Sequence, residues 1–529
     1  MTDDIYLDAN ATTPVLPAAA AAALHTMQSL YGNPSSTHAM GLQAQALMAG
    51  VREQATRWLD TGTGRLVFVS GATEAIQTAV LSALCAIRTQ RDCGAAVGRL
   101  LVYGATEHKA VPESMAHWNQ VLGLHLALHA LPVDSDGRHD LAALAAVAGD
   151  AALVCTMAAN NETGTISDLD GIERVLVQYA PHALWLVDCV QALGKLPLRL
   201  RERRIDYAAF SGHKLYAPKG IGLLYVHADA PFTPLMVGGG QEGASRSGTE
   251  NLAGIAALGA VFDALQGGSS FRDDAALLRM RQALVDSLRE AFPDVLFNTP
   301  FACALPTTIN FSVPGRASKD LMDVFDAAGV RVSAGSACSA AKAAPSHVLL
   351  AMGQPEARAA SAIRMSFGPA TEEAWITQAC ARIRRCGQAL ASAGPTHLPT
   401  DHGSTLPTAS GPAMEPGTGD PAETAALEVH DMPQFLAHHP DARLIDVREA
   451  GERLAGGPLQ LYGQATHHAA LSELAQHCGP WLARPQAPLV FVCRSGARSA
   501  RAAAMLRRMG HTNAWHLPGG LALQARQAE

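Results

Sequence analysis

Short, continuous apolar runs, each followed by a longer stretch with helical spacing, set the rhythm of the first half of the chain. Leu66-Val-Phe-Val, Leu100-Leu-Val-Tyr, Ala152-Leu-Val-Cys, Leu184-Trp-Leu-Val and Gly222-Leu-Leu-Tyr-Val are apolar throughout rather than alternating. Such runs predict strands buried on both faces, in a largely parallel sheet covered by helices. Ligands of such a sheet sit at the carboxyl ends of its strands. From about Phe271 to Cys386 the order becomes helix, strands, helix, which predicts a smaller α+β domain. Periodicity then stops. Residues 393–424 are dense in Pro, Gly, Ser and Thr, cannot bury enough surface to order themselves, and predict a flexible linker with a root-mean-square span of roughly 30 Å. Strand–helix alternation resumes over residues 425–529, enough for one small α/β domain.

Composition narrows the function classes. A chain of 529 residues, 48% hydrophobic, agrees with about three domains. A net charge of -7 and a pI near 6.3 provide no field to attract nucleic acid or anionic membrane. No window approaches about 18 uncharged apolar residues, and Met1-Thr-Asp-Asp lacks the basic-then-apolar start of a signal peptide; the cytoplasm is the expected compartment. Ten cysteines without regular spacing do not make a disulfide framework. Cys85, Cys155, Cys189, Cys380 and Cys386 lie in apolar or helical stretches and are expected in the core. With no CxxC or HExxH present, no metal is expected, and the pairs His438-His439 and His467-His468 would bind one only adventitiously.

Three features in chain order point to one chemistry. Val69-Ser-Gly-Ala-Thr-Glu follows a strand and opens a helix, so its N–H groups and the helix dipole could hold a phosphate. Asp188 ends an apolar strand, where an acid needs something cationic to meet; a helix cap is the alternative. Lys214, in Phe210-Ser-Gly-His-Lys, follows another apolar stretch, and a desolvated lysine has a lowered pKa and can form an imine with an aldehyde. Phosphate cradle, acid for a pyridinium nitrogen and imine lysine together define a pyridoxal phosphate enzyme.

Residues 1 to about 392 resemble the cysteine desulfurases of the class V aminotransferase superfamily, pyridoxal phosphate fold type I. The resemblance is carried, in order, by Leu7-Asp-Ala-Asn-Ala-Thr-Thr-Pro, Tyr31-Gly-Asn-Pro-Ser-Ser, Ser70-Gly-Ala-Thr-Glu, Thr106-Glu-His-Lys-Ala-Val, Asn160-Asn-Glu-Thr-Gly, Val187-Asp-Cys-Val-Gln-Ala-Leu-Gly-Lys, Ser211-Gly-His-Lys, Arg246-Ser-Gly-Thr-Glu-Asn and Gly335-Ser-Ala-Cys. It implies a large domain over about 15–265 and a small domain over about 1–14 and 266–392. It further implies Lys214 as the Schiff-base lysine, Asp188 on the pyridinium nitrogen, Gln191 on the ring hydroxyl, and His108 stacked on the ring and moving protons. Ala72, Thr73, Ser211 and His213 would hold the phosphate, joined by Thr249 of a neighbouring subunit, hence a homodimer. Asn161 and Arg364, with Asn33, would grip the substrate carboxylate. The cofactor would make the sulfur of L-cysteine electrophilic, and Cys338, in the small-residue loop Ser333-Ala-Gly-Ser-Ala-Cys-Ser, would take it as a persulfide and deliver it to protein acceptors. Glu74-Ala-Ile-Gln departs from the usual continuation of the phosphate helix.

A second reactive sulfur is expected at Cys493. Leu489-Val-Phe-Val-Cys-Arg-Ser-Gly-Ala-Arg-Ser is an apolar strand, a tight loop and a helix start. Successive N–H groups of Arg494, Ser495, Gly496, Ala497 and Arg498 would form an anion nest, and the two arginines add positive charge. Residues 425–529 resemble the single-domain rhodaneses through this loop, through Leu444-Ile-Asp-Val-Arg-Glu and through Leu517-Pro-Gly-Gly-Leu. The arginine five positions after the cysteine makes the loop one residue shorter than a phosphatase loop. After Glu452 the usual Gly-His-Ile segment is missing. The expectation is therefore a natural fusion that turns L-cysteine into L-alanine, loads Cys338, relays sulfur to Cys493 and passes it to acceptor proteins or small thiols. Alternatives are a selenocysteine lyase-like enzyme, a rhodanese-like part that only docks acceptors, and an independent thiosulfate sulfurtransferase.

Overall fold

The computed structural model describes residues 4–334, 345–393 and 425–524. Its centre is a seven-stranded sheet in the order Arg65–Val69, Gly222–Val226, Tyr207–Ser211, Leu184–Asp188, Ala151–Met157, Leu100–Gly104, Ala127–Leu131. Every strand runs parallel except Gly222–Val226, which is antiparallel to both neighbours. The continuous apolar runs have a simple cause: successive side chains point to opposite faces and both faces are covered. Trp185, Val187 and Phe210 pack in one apolar cluster, Leu186, Tyr207 and Leu224 in the other. Burying each such side chain contributes roughly 1.5–3 kcal/mol. The strand Gly222–Val226 can lie so close to the start of the next helix only because residue 222 is glycine; a Cβ there would come 2.5 Å from the Phe210 carbonyl and 2.8 Å from Gly71 Cα.

Residues after Gly268 build a second layer system. Ser333–Ala334, Ala362–Ser366, Thr308–Ser312 and Leu296–Phe297 form an antiparallel sheet in that order, covered by the helices Asp274–Ala291, Ser318–Ala327 and Glu373–Ser392. The chain start joins it: Ile5–Tyr6 pairs in parallel with Val330–Arg331, and Asp8 bridges Ser366.

The C-terminal unit holds four parallel strands, in the order His467–His468, Arg443–Asp446, Leu489–Val492, Ala514–His516. Its apolar interior includes Ile445, Trp481, Phe491 and Leu506. The expected linker, residues 393–424, lies outside the described residues apart from Ala393. One strand of the large sheet escaped the sequence reading: Ala127–Leu131 is an edge strand with three exposed positions, so it lacks an apolar run. Tyr207–Ser211, the apolar stretch before Lys214, is fully buried. No described helix is long and apolar enough to cross a membrane.

Candidate active site

Where the strands of the large sheet end, side chains from distant parts of the chain enclose a cavity of about 730 Å³. Lys214 reaches it from a short turn, Gly212–Lys214, directly after the strand Tyr207–Ser211. Its Nζ donates to the carbonyls of Asn10 at 2.6 Å and Ala11 at 2.8 Å, so the small-domain chain start holds the lysine of the large domain. Asp188 ends its strand inside the cavity wall and accepts from the Val190 N–H at 2.9 Å. Burial raises its pKa, and the Val190 N–H, His108 and Lys214 pull it back. His213 sits beside Thr12, 3.1 Å from its Oγ1, and burial, together with the nearby lysine charges, lowers its pKa to about 4. It is neutral at pH 7.

Ala72 and Thr73 open the helix Ala72–Asp92, and Gly71 before them supplies no side-chain cap. The helix start lines the cavity, where a phosphate would satisfy its first-turn N–H groups and meet the positive end of the dipole. Glu74, the departure noted in the sequence, does not disturb this arrangement. It accepts from the Ser70 N–H at 2.8 Å and pairs with Arg246 at 2.9 Å, which ties the segment preceding Thr249 to the phosphate helix. Ser211 and His108 line the same cavity.

Arg364 is 1% exposed on the strand Ala362–Ser366. Its Nη2 binds Asp8 Oδ1 at 2.6 Å and its Nη1 donates to the Asn161 carbonyl at 3.1 Å. Arg364 Nε and Asn10 Oδ1 are buried without a hydrogen-bond partner among the described residues, and both residues line the cavity. Unsatisfied buried polar atoms of this kind call for a polar ligand. A phosphate-ready helix start, a buried acid, a lysine and an arginine in one chamber fit pyridoxal 5'-phosphate with an amino-acid substrate.

Two expected residues stand apart. Asn33 is exposed and its Oδ1 accepts from the Ser35 N–H; Thr249 is exposed as well, and neither lines the cavity of its own chain. Cys338 lies outside the described residues. Several groups in or near the wall were not anticipated. Lys195 Nζ donates to Gln191 Oε1 at 3.0 Å while Gln191 Nε2 donates to the Asn10 carbonyl; burial and the Lys214 and Arg364 charges lower the lysine to about 7. Glu162, 2% exposed, accepts from Ser346 Oγ at 2.5 Å, and burial raises it to about 7. Glu107 is pushed well above the carboxylate range by burial and by Asp188, and His139, 3.9 Å away, is pushed down to about 4 by burial. The sequence signal for Glu162, Glu107 and Lys195 was their place inside the quoted motifs; their unusual protonation comes from burial, reinforced at Glu107 and Lys195 by neighbouring charges.

Cys493, 0% exposed, follows the strand Leu489–Val492 and precedes the helix Ala497–Arg508. The N–H groups of Gly496 and Ser499 donate to its Sγ at 3.2 and 3.4 Å. Two glycines make the turn possible. Gly496 has φ 89°, and at Gly520, φ 54°, a Cβ would stand 2.1 Å from the Cys493 carbonyl. The arginines differ from the expectation that both aim their charge at the sulfur. Arg494 turns to Asp323 at 2.6 Å and Asp326 at 2.8 Å. Arg498 is bidentate to Glu452 at 2.5 and 2.8 Å while still attracted by Cys493. The reason is local: carboxylates stand within reach of the guanidinium groups, and paired charges are the stable form of a half-buried ion. The cysteines placed in the core behave as expected at Cys155, Cys189, Cys380 and Cys386, which are buried; Cys85 is only half-buried. Burial pushes the Cys155 and Cys189 thiols far up and Cys386 to about 12, so these three are poor nucleophiles.

Comparison with known proteins finds two families along the chain. The aminotransferase class-V family matches residues 5–378 and the rhodanese-like domain family residues 430–523. A cysteine desulfurase of Cereibacter sphaeroides is 37% identical over 374 residues, covering 70% of this chain and 92% of the relative. One from Nostoc sp. is 36% identical over 375 residues, covering 70% and 90%. Among solved structures, a NifS-like protein superposes with a TM-score of 0.65 at 31% identity, over 73% of this chain and 100% of that one. With its lysine, acid and phosphate-ready helix in one chamber and a sulfur loop on a separate sheet, the chain belongs to the class-V aminotransferase family, among the cysteine desulfurases, and carries a rhodanese-like domain after it.

Proposed function

We propose that this enzyme takes sulfur from L-cysteine with pyridoxal 5'-phosphate, leaving L-alanine, and relays it through Cys338 to Cys493 and on to acceptor proteins or small thiols. The observation that carries the reading is the single cavity shared by Lys214, Asp188, His108 and Arg364, in one chain with a sulfur held by two backbone N–H groups. When bound, the cofactor supplies an electron sink that renders the substrate sulfur electrophilic.

The chain's own groups do the rest. Ala72, Thr73, Ser211 and His213 hold the phosphate, with Thr249 of a second subunit completing the cradle in a homodimer. Asp188 keeps a proton on the ring nitrogen, and the buried position that raises its own pKa strengthens that pairing. Gln191, its amide oxygen held by Lys195, would hydrogen-bond the ring hydroxyl. Arg364, held flat by Asp8 and Asn161, grips the substrate carboxylate as a fork, and His108 moves protons. The Cys338 thiolate attacks the substrate sulfur: the S–S bond forms, the C–S bond breaks, and the electron pair left on the three-carbon skeleton takes a proton to give alanine. Cys493 then attacks the outer sulfur of the Cys338 persulfide, and Cys338 leaves as thiolate. Each transfer balances without an added oxidant.

A pulse of L-cysteine without reductant, followed by intact and peptide mass spectrometry, tests this. Sulfur, read as an added ~32 Da, is expected first on Cys338 and then on Cys493. Sulfur confined to Cys338 overturns the relay, and Cys338→Ser that still forms alanine from L-cysteine overturns the persulfide step.

A further inference from the structure

The C-terminal domain touches the rest of the chain through the rim of its sulfur loop. Arg494, the residue after Cys493, donates from Nη1 to Asp323 Oδ1 at 2.6 Å and from Nε to Asp326 Oδ2 at 2.8 Å. Arg498, while bound to Glu452, stands 3.7 Å from Asp323. Asp323 and Asp326 are three residues apart on the helix Ser318–Ala327 and so share a face. Lys319 also reaches Asp323, and Arg331 holds the other oxygen of Asp326. These charges therefore form a network across the two domains rather than one exposed pair.

A second contact, steric in kind, lies beside it. The helix Ala450–Gly456 packs against the acidic helix and against Glu373–Ser392. A Cβ on Gly456 would come 2.4 Å from the Ala327 carbonyl, and one on Gly451 3.4 Å from Leu390. Ala455, 2% exposed, belongs to the same apolar cluster as Phe325, Ile383 and Leu390 of the small domain. These small residues stand where the usual Gly-His-Ile segment is missing from the sequence. That departure makes room for a neighbouring helix.

We propose that the acidic helix Ser318–Ala327 is a docking surface for the sulfur loop of this chain's own rhodanese-like domain, and that the docked loop is closed to outside acceptors until the domain releases. Arginine charges engaged by Asp323 and Asp326 are withdrawn from any anionic acceptor or donor approaching the loop. Salt screens such contacts, so the dock is reversible.

The test is the rate at which iodoacetamide alkylates Cys493 in the full-length holoenzyme, read by peptide mapping, in wild type and in Asp323→Asn/Asp326→Asn. Neither aspartate belongs to the catalytic machinery, so alanine formation with excess reductant is expected unchanged and reports intact folding. A docked population of about 90% slows labelling about tenfold; the variant is expected to regain that factor at low salt, and added salt to accelerate wild type but not the variant. Gly456→Leu, which blocks the helix contact instead of the charges, is expected to give the same acceleration. Equal labelling of wild type and both variants at low salt overturns the dock.

Discussion

The cavity around Lys214 and the loop around Cys493 are assembled in opposite ways. The first draws on side chains from Asn10 to Arg364 and on both layers of the desulfurase part; its arginine is buried against an aspartate 356 positions earlier in the chain. The second holds its sulfur with donors three and six residues further on. A dispersed site depends on the packing of the whole domain pair, and its charges are tuned by burial. A contiguous site depends on backbone conformation, and two glycines carry most of that burden. The two should therefore fail separately and for different reasons.

The strongest way to break the comparison is to remove one nucleophile at a time. Lys214→Ala is expected to lower alanine formation by roughly 10³-fold or more and to abolish the visible absorbance of the bound cofactor, while thiosulfate-dependent sulfur loading of Cys493 stays unchanged. Cys493→Ser is expected to do the reverse, keeping alanine formation and losing the sulfur on the C-terminal domain. Parallel assays of both activities in each variant would expose any hidden dependence of one site on the other.

Backbone strain separates the sites next. In Gly496→Ala the new Cβ meets the Gly519 nitrogen at 2.7 Å with φ at 89°, and the expected cost is about 1–3 kcal/mol, confined to the C-terminal domain. Calorimetry should show its transition fall while that of the desulfurase part holds still. A charge substitution in the cavity works differently. Asp8→Asn leaves Arg364 with a weaker partner and a looser orientation, so the KM for L-cysteine is expected to rise about tenfold with little change in kcat.

The smallest effect is a pH signature of burial. Glu162 is raised from an ordinary 4.5 to about 7. Between those values the unfolded chain has released a proton that the native protein keeps, so this group makes stability fall as pH rises through the window. Glu162→Gln removes that fall, and the melting temperature of the variant relative to wild type is expected to be higher at about pH 7.5 than at about pH 5. A difference that does not change with pH would mean that Glu162 is ionised throughout.

Legibility in the sequence follows the same division. The loop at Cys493 could be read because an apolar strand, a glycine and a helix start are local signals and the nest they form is local. The parallel sheet could be read because strands covered on both faces are apolar at every position. The edge strand Ala127–Leu131 could not, since one side of it faces solvent. Lys214, Asp188 and the phosphate helix were found through motifs at strand ends. Asp8, Glu162 and Lys195 were passed over, because what marks each of them is a partner or a burial that arises only when remote segments meet. Asn33, which the sequence reading placed with the substrate, stands outside the cavity of its own chain, and so does Thr249, which that reading had assigned to the neighbouring subunit's site.

By itself, then, the amino-acid order determined which short segments turn, which strands are buried, and where the Cys493 loop lies, because these depend on neighbours a few residues apart. Tertiary structure alone decided that Asp8 fixes Arg364, that Glu162 and Lys195 titrate far from their ordinary values, and that Arg494 faces the acidic helix. Those properties come from the removal of water and the approach of charges hundreds of positions apart, which no local pattern encodes.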